Sequence, residues 1–195
     1  MNRVERERKY WEFASGDPYV RDNYIVDKNI KDSDCLEALC FDPFKYKRTL
    51  EVGCGIGRLT TILAKEHPGC TFIGVDISEG MIKQAPELSN VIYKLGKGRS
   101  IPEGITDIDF VYSMFVFQHI PEDGVRDYLE DIARVLKPGG CLVFQYVEGV
   151  ESESFSHHFT CEEVCNWLQR HYDFPYVRKH LLHPSWSWVT VYRKG

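Results

Sequence analysis

The sequence predicts an α/β fold: a mostly parallel sheet of seven strands, helices on both faces and an antiparallel hairpin at the C-terminus. Short apolar segments alternate with amphipathic segments, which is typical of parallel strands joined by crossover helices. A glycine-rich turn joins the first of these strands to the first helix of the core. Two strand-like segments, residues 176–182 and 186–193, follow each other without a helix between them, and this spacing predicts the hairpin.

Residues 1–45 are predicted to be a helical N-terminal extension, and residues 46–195 the core domain. Helical patterns cover residues 2–13, 19–30 and 34–41, the last with Asp34 as its N-cap and Glu37 three positions later. The extension is rich in aromatic residues. It can fold over the glycine turn as a lid, or it can cover the edge of the sheet, and the sequence leaves both possibilities open.

Alternating periodicity continues through the core. The predicted strands are residues 47–52, 70–76, 91–95, 108–113 and 141–147. The predicted helices are residues 58–66, 78–85 and 121–136. A turn at residues 137–140 is predicted to end the third helix. Thr160 and Glu163 form a capping box that begins a further helix, which ends near residue 171.

Length and charge restrict the class of protein. A chain of 195 residues with a net charge of −5 suits one soluble domain. No apolar run reaches the length of a membrane span, and the charged N-terminus lacks the apolar region of a secretory signal. We therefore expect a cytoplasmic protein without a membrane partner. The acidic balance argues against a nucleic-acid partner.

The seven cysteines are odd in number and include no CxxC pair. This usage favours free thiols in a reducing cytosol over a disulfide framework. Cys161 and Cys165 lie one helical turn apart, so a two-cysteine metal site is conceivable. Packing or surface roles are far more common for such cysteines. No metal site is predicted.

Three glycines at alternate positions, Gly53, Gly55 and Gly57, mark the turn between the first core strand and helix. Strand, glycine turn and helix form the layout of a nucleotide-binding βα unit. The spacing is one residue shorter than the dinucleotide fingerprint G-x-G-x-x-G. Asp76 ends the second strand about 20 residues beyond the turn, where an acid binds the ribose hydroxyls in such units. Alternatively, Asp76 caps the helix that begins at Ser78.

Four motifs occur in the order found in the class I S-adenosylmethionine-dependent methyltransferases, and the chain resembles this family, in particular its type 11/12-like members. The motifs are EVGCGIG at residues 51–57, GVDIS at 74–78, DFVYS at 109–113 with FQHIP at 117–121, and RVLKPGG at 134–140. The resemblance covers about residues 46–195 and implies a Rossmann-like fold. It also implies S-adenosyl-L-methionine as the cofactor and S-adenosyl-L-homocysteine (SAH) as its product.

The resemblance implies roles for particular residues. Glu51 meets the ammonium group of the cofactor, Asp76 the ribose, and Phe115 the methionine moiety. The turn residues that line the methionine and ribose portions are Gly53, Cys54, Gly55 and Gly57. The residues around the adenine are Ile77, Met81, Lys97 and Gly98. One departure from the family is the loop after the third strand, which lacks an acid for the adenine amino group. Backbone at residues 97–98 or stacking by Arg99 would replace that acid.

Methyl transfer by direct displacement requires mainly alignment, and it requires a base only if the acceptor must lose a proton. Candidate bases are His119, His157, His158 and Glu148. His119 can instead orient its own turn through a hydrogen bond. The adjacent histidines of the loop after the fifth strand point to different sides if that segment is extended.

The expected acceptor atom is an oxygen or nitrogen of a small molecule. The segment after the fourth strand lacks both the Pro-Pro motif of amine-methylating DNA enzymes and the Pro-Cys nucleophile of cytosine C5 enzymes. Two alternatives remain: an NAD(P)-dependent oxidoreductase, and a catalytically silent partner protein that binds S-adenosylmethionine. Several aromatic side chains can wall an acceptor pocket or belong to the core. They are Tyr10, Trp11, Phe13, Tyr19, Tyr24, Tyr146 and Phe159.

Overall fold

The structure is a computed structural model that describes residues 3–20, 31–149, 156–179 and 185–195. Two compact units divide the chain, Met1–Gly98 and Arg99–Gly195. The predicted boundary between residues 45 and 46 falls inside the first unit, and the separate N-terminal domain stays a prediction. Three predicted features lie partly outside the described residues: the helical pattern at residues 19–30, of which 21–30 with Tyr24 are outside, the end of the strand at 176–182, and the hairpin turn at 183–185.

The first unit contains a three-stranded parallel sheet in the order β3-β2-β1. Its strands are β1 (Arg48–Val52), β2 (Thr71–Asp76) and β3 (Val91–Leu95). Its helices are α1 (Arg3–Gly16), α2 (Pro18–Val20), α3 (Asp32–Leu39), α4 (Arg58–Glu66) and α5 (Glu79–Ile82). Helix α4 packs against β2 and β3, where Leu59 and Leu63 are buried at helical spacing.

The second unit contains strands in the order β4-β5-β8-β7, with β6 beside β5. Its strands are β4 (Ile108–Ser113), β5 (Leu136–Glu148), β6 (His158–Phe159), β7 (Tyr176–Lys179) and β8 (Trp186–Tyr192). Its helices are α6 (Glu122–Val135) and α7 (Cys161–Leu168), with a 3₁₀ turn at Phe117–His119. Strand β5 is parallel to β4 and antiparallel to β8.

These elements confirm the predicted class, with parallel strands, intervening helices and an antiparallel C-terminal pair. Thr160 and Glu163 form the predicted capping box at the start of α7. The two-residue strand β6 was not predicted. Tyr146 and Phe159, considered as possible pocket walls, are buried core residues instead, whereas Tyr10 is more than half exposed.

Several predicted boundaries are wrong. The helix predicted over residues 78–85 covers only Glu79–Ile82, and two further errors concern a turn and a helix cap. Residues 137–140 are not a separate turn, because β5 already begins at Leu136. Gly139 N–H donates to the carbonyl of Arg193, and Arg193 N–H donates to that of Gly140, so the end of the chain pairs with this segment. Asp34 is not the N-cap of α3, since that position is Lys31 and the helix begins at Asp32.

Free thiols occur at all seven cysteines. The Sγ atoms of Cys161 and Cys165 lie 3.9 Å apart on α7. Within the described ranges, no cluster of three or more His, Cys, Asp or Glu side chains is arranged to hold a metal ion. None of the helices in the described part of the chain is both long enough and apolar enough to cross a bilayer.

Candidate functional site

The glycine turn after β1 has a backbone that favours glycine. Gly53, Gly55 and Gly57 have φ values of 76°, 53° and 72°, in the left-handed region that side chains with a Cβ rarely adopt. The N–H groups of Gly53 and Cys54 both donate to the carbonyl of Val75 on β2, at 2.7 and 3.0 Å. The turn is therefore fastened to the neighbouring strand. Among the described residues, no atom beyond the immediate chain neighbours lies within 4 Å of a Cβ added at Gly55, so its backbone is open to close approach.

Asp76 at the end of β2 is tied to the glycine turn. Its Oδ2 accepts a hydrogen bond from Gly55 N–H at 2.8 Å, across 21 residues of sequence, and its Oδ1 accepts from Ser78 N–H at 2.9 Å. Burial raises the pKa of this carboxyl, and the two backbone donors oppose that rise. A carboxylate has about four lone-pair sites, so Asp76 can accept further hydrogen bonds.

The cap of α5 separates the two roles considered for Asp76. Ser78 is the N-cap residue, and its hydroxyl oxygen accepts from Met81 N–H at 3.2 Å. Asp76 lies two residues before this cap and orients it through the N–H of Ser78. The helix-cap alternative for Asp76 is therefore wrong.

Glu51 is buried, with 4% of its surface exposed, and it caps α4 from the adjacent strand. Its Oε2 accepts from the N–H of Thr60 at 3.1 Å and from the Thr60 hydroxyl. Gly57, the N-cap of α4, has no side chain that could provide this bond. Glu51 thus stabilises the helix behind the turn, a role that the sequence did not indicate. Its contact with an ammonium group stays a prediction.

The four residues predicted around the adenine all belong to the first unit, and Lys97 among them is exposed. Gly98 has a φ of 90°, and a Cβ there would lie 2.7 Å from Ile77 Cδ1 and from Val4 Cγ1 of α1. Met81 is buried within α5. Burial raises the pKa of the Cys54 thiol well above its usual value, so this residue of the turn is an unreactive thiol.

Glu12 on α1 makes a contact that sequence reasoning missed. Its carboxylate accepts from the Ser78 hydroxyl at 2.8 Å and from Gly80 N–H at 3.0 Å. The Ser78 hydrogen bond is the main cause of the lowered pKa of Glu12. Gln84 Nε2 also donates to the carbonyl of Ser15, at 2.9 Å. Helix α1 is therefore fastened at its C-terminal end to the turn that follows Asp76.

Phe115 belongs to the second unit and follows β4. It has a φ of 60°, which is unusual for a residue with a large side chain. Its N–H donates to Gln145 Oε1 at 3.1 Å, and its ring lies 5.2 Å from that of Trp186. The structure thus holds Phe115 in a strained backbone conformation, a kind of strain that occurs at functional sites.

The second unit brings two of the three candidate histidines together. His157 N–H donates to the carbonyl of Gln118 at 2.6 Å, next to His119. Burial and the nearby charge of His157 lower the pKa of His119 to about 4. His158 begins β6, opposite Val147 of β5. His119 is therefore neutral at pH 7 and a weak base there.

The low pKa of His119 predicts a pH dependence of folding. Between pH 6.5 and 4 the unfolded chain binds a proton at this residue and the folded chain does not, so stability falls as the pH falls through this range. We expect His119→Gln to remove at most about 3 kcal/mol of that pH-dependent loss. Denaturant titrations at several pH values measure it, with His171→Gln as control. If the free energy of unfolding depends on pH equally in the wild type and in His119→Gln, the prediction is contradicted.

Two other candidate residues, the possible base Glu148 and the possible adenine-stacking residue Arg99, already have side-chain partners. Glu148 accepts hydrogen bonds from Lys179 Nζ and from the Ser187 hydroxyl; burial alone would raise its pKa, but these donors lower it. Arg99 pairs with Asp123 and Asp127 of α6, at 2.7 and 3.0 Å. These partners make Glu148 a weaker base and hold the guanidinium of Arg99 against α6.

Comparison with known proteins places the chain among methyltransferases. Residues 49–140 match the family model described as a methyltransferase domain. The 2-methyl-6-phytyl-1,4-hydroquinone methyltransferase of Synechocystis sp. is 38% identical over 139 residues, 66% of this chain and 41% of the relative. Phosphoethanolamine N-methyltransferase 1 of Triticum aestivum is 34% identical over 150 residues, 70% of this chain and 30% of the relative. The chain thus spans less than half the length of these curated relatives.

A solved structure matches nearly the whole chain. The DhpI–SAH complex has a TM-score of 0.75 and 19% sequence identity, and the match covers 98% of this chain and 97% of that one. This likeness shows a shared fold. The matched domain and the motifs of the glycine turn identify residues 49–140 as a methyltransferase domain of the class I S-adenosylmethionine-dependent type.

Proposed function

We propose that this protein is an S-adenosylmethionine-dependent methyltransferase that transfers a methyl group to an oxygen or nitrogen of a small-molecule acceptor. The observation that carries the proposal is the link between Asp76 and Gly55. A single carboxylate at the end of β2 holds the open glycine turn in place and still has lone pairs for the two hydroxyls of a ribose.

The residues of the first unit fit this cofactor. The left-handed backbone at Gly55 can be approached closely because a Cβ is absent and the neighbouring space is open. Glu51 supplies a buried carboxylate at the start of the turn, and Ile77 and Gly98 supply an apolar surface for a purine. When bound, the cofactor supplies a methyl group on a sulfonium, which an acceptor heteroatom attacks in one displacement. The chain itself binds, orients and excludes water.

Proton removal from the acceptor is assigned to His157 or His158 rather than to His119. The lowered pKa of His119 makes it a poor general base at neutral pH, and its hydrogen bonds suit the alternative orienting role. An acceptor that is already deprotonated needs none of these residues, and in that case alignment alone accounts for the reaction.

We further propose that α1 acts as a clasp on the adenine side of the site. Val4 at its start lies against Gly98 and Ile77, and Glu12 near its end binds the turn of Ser78 and Gly80. The helix thus reaches both predicted adenine-contacting segments of the first unit. Helix α1, part of the predicted lid, would then be attached to the site through Val4 and Glu12.

Removal of the Glu12 charge tests the clasp. We expect Glu12→Gln to lower the hydrogen-exchange protection of α1 and to weaken SAH binding about threefold, since exposed charge-assisted hydrogen bonds contribute modestly. Glu5→Gln is the matched control, because Glu5 is an exposed acid on the same helix, paired with Lys9. Equal effects of the two variants on exchange and affinity would mean that Glu12 does not fasten the helix.

Calorimetry and a methyl-transfer assay test the proposed function together. We expect SAH to bind and to raise the melting temperature, and NAD and NADP to do neither. Transfer of a labelled methyl group from S-adenosylmethionine is then measured on phenols, hydroquinones and amino alcohol phosphates, because the curated relatives are named for a hydroquinone and a phosphoethanolamine. Stabilisation by NAD(P) but not by SAH would refute the proposal.

A silent partner protein is the second candidate function. Such a protein would also bind SAH, but it would transfer no methyl group to any of the acceptors tested. The proposed cytoplasmic location, the absence of a nucleic-acid partner and the small-molecule acceptor rest on composition and on the names of the relatives. Labelled transfer to RNA or DNA, but to no small molecule, would contradict this choice of acceptor.

A further inference from the structure

Gln145 is a fully buried amide in the middle of the second unit, with 0% of its surface exposed. It lies on β5 opposite Trp188 of β8. A buried side-chain amide is costly unless both of its ends are hydrogen-bonded. Its Oε1 accepts from the N–H of Phe115 at 3.1 Å, and its Nε2 donates to Gln118 Oε1 at 3.3 Å.

These bonds belong to a hydrogen-bond network in which each donor and acceptor assignment fixes the next one. A backbone N–H can only donate, so Phe115 fixes which end of the Gln145 amide faces it. The Nε2 of Gln145 must then face Gln118, which turns the Nε2 of Gln118 towards His119. That group lies 3.3 Å from His119 Nε2, which therefore accepts. The network leaves His119 in its neutral form with the proton on Nδ1.

The same network reaches His157 through the main chain. The carbonyl of Gln118 accepts from His157 N–H at 2.6 Å. Gln145 thus links the strained backbone of Phe115, at a φ of 60°, to the segment that holds two candidate histidines. None of the bonds of this network leaves the second unit.

We propose that Gln145 is a positioning residue for methyl transfer, which holds the Phe115 backbone and sets the tautomer of His119 through Gln118. The role in transfer rests on the proposed function, while the tautomer can be measured without it. An amide is the side chain that accepts from one neighbour and donates to the other at the same time. Methionine at this position has similar length and offers neither bond, and glutamate keeps the acceptor for Phe115 but, when ionised, loses the donor for Gln118.

Two measurements on Gln145→Met and Gln145→Glu test the proposal. In the wild type, ¹⁵N chemical shifts at pH 7 should show His119 protonated at Nδ1 alone. We expect Gln145→Met to give a mixture of tautomers because the bond to Gln118 is lost, and to weaken SAH binding about tenfold because the buried N–H of Phe115 loses its acceptor. At pH 8 Gln145→Glu should also give a mixture of tautomers but bind SAH more tightly than Gln145→Met, because the carboxylate still accepts from Phe115. At lower pH, where the introduced carboxyl is protonated and can donate, the Nδ1 tautomer should return.

Ser187→Ala is the matched control, because Ser187 is equally buried in the same sheet and donates to Glu148 instead. It should leave the His119 tautomer and the SAH affinity unchanged. Wild-type tautomer and affinity in both Gln145 variants, or equal losses in the control, would overturn the proposal. If the wild type shows the Nδ1 tautomer but does not bind SAH, the proposed function is wrong and the role of Gln145 in transfer falls with it.

Discussion

Asp76→Ala should weaken SAH binding by about 1.5–3 kcal/mol, which is roughly a 10- to 150-fold increase in Kd. The physical reason is a double loss. The substitution removes the carboxylate proposed to accept from the ribose hydroxyls, and it leaves the N–H groups of Gly55 and Ser78 without their acceptor. Isothermal titration calorimetry with SAH measures the change directly.

Glu79→Gln is the control for Asp76→Ala. Glu79 lies three residues further along, is exposed, and pairs with Lys83 at 2.9 Å. This variant should bind SAH within about twofold of wild type, since an exposed ion pair contributes little. Asp76→Asn should fall between the two, because its amide keeps one acceptor oxygen. An Asp76→Ala protein that binds SAH as tightly as wild type would exclude the ribose role.

Gly57→Ala should lower the free energy of unfolding by about 2–5 kcal/mol. Part of this loss is backbone strain, because Gly57 has a φ of 72° and a left-handed conformation costs a residue with a Cβ about 1–2 kcal/mol. The rest is overpacking, about 1–3 kcal/mol, since the added Cβ would meet the Tyr93 hydroxyl and lie 2.8 Å from its Cζ. Urea denaturation followed by circular dichroism measures the sum.

Gly55→Ala separates the two causes. Gly55 also has a left-handed backbone, with a φ of 53°, but the part of the chain that the structure describes places no atom other than those of its chain neighbours within 4 Å of the added Cβ. It should therefore lose only about 1–2 kcal/mol of stability, while SAH binding is weakened because the methyl group occupies the side from which a ligand approaches the turn. Equal destabilisation by the two variants would mean that Tyr93 does not crowd Gly57.

The strongly patterned elements were predictable. Helix α4 and strands β3 and β4 begin and end at the predicted residues, because apolar spacing and flanking glycine or proline define them locally. The start of β5 and the cap of α3 were not. The backbone of residues 139–140 pairs with Arg193, more than 50 residues away, and local propensity contains no information about such a partner.

The residues of the candidate site also fall into two groups, those that the sequence could predict and those that it could not. Gly53, Gly55, Gly57 and Asp76 could be recognised because a close-approach turn and a carboxylate after the next strand have a fixed spacing along the chain. Ser78 has a local signal as the N-cap of α5, although Asp76 was the residue considered for that role. Glu12 and Gln145 have no such signal, since an acid on an exposed helix and a polar residue in an apolar strand are each common.

The sequence alone determined the alternation of strands and helices, the glycine turn and the acid that follows it, and through these the class of its methyltransferase domain. Only the tertiary structure decided which side chains form hydrogen bonds with residues that are distant along the chain. Glu12 reaches Ser78 across 66 residues, and Gln145 reaches Phe115 across 30. The physical reason is that a hydrogen bond depends on distances of about 3 Å between atoms in space. Spacing along the chain fixes such distances only within a single turn, helix or strand.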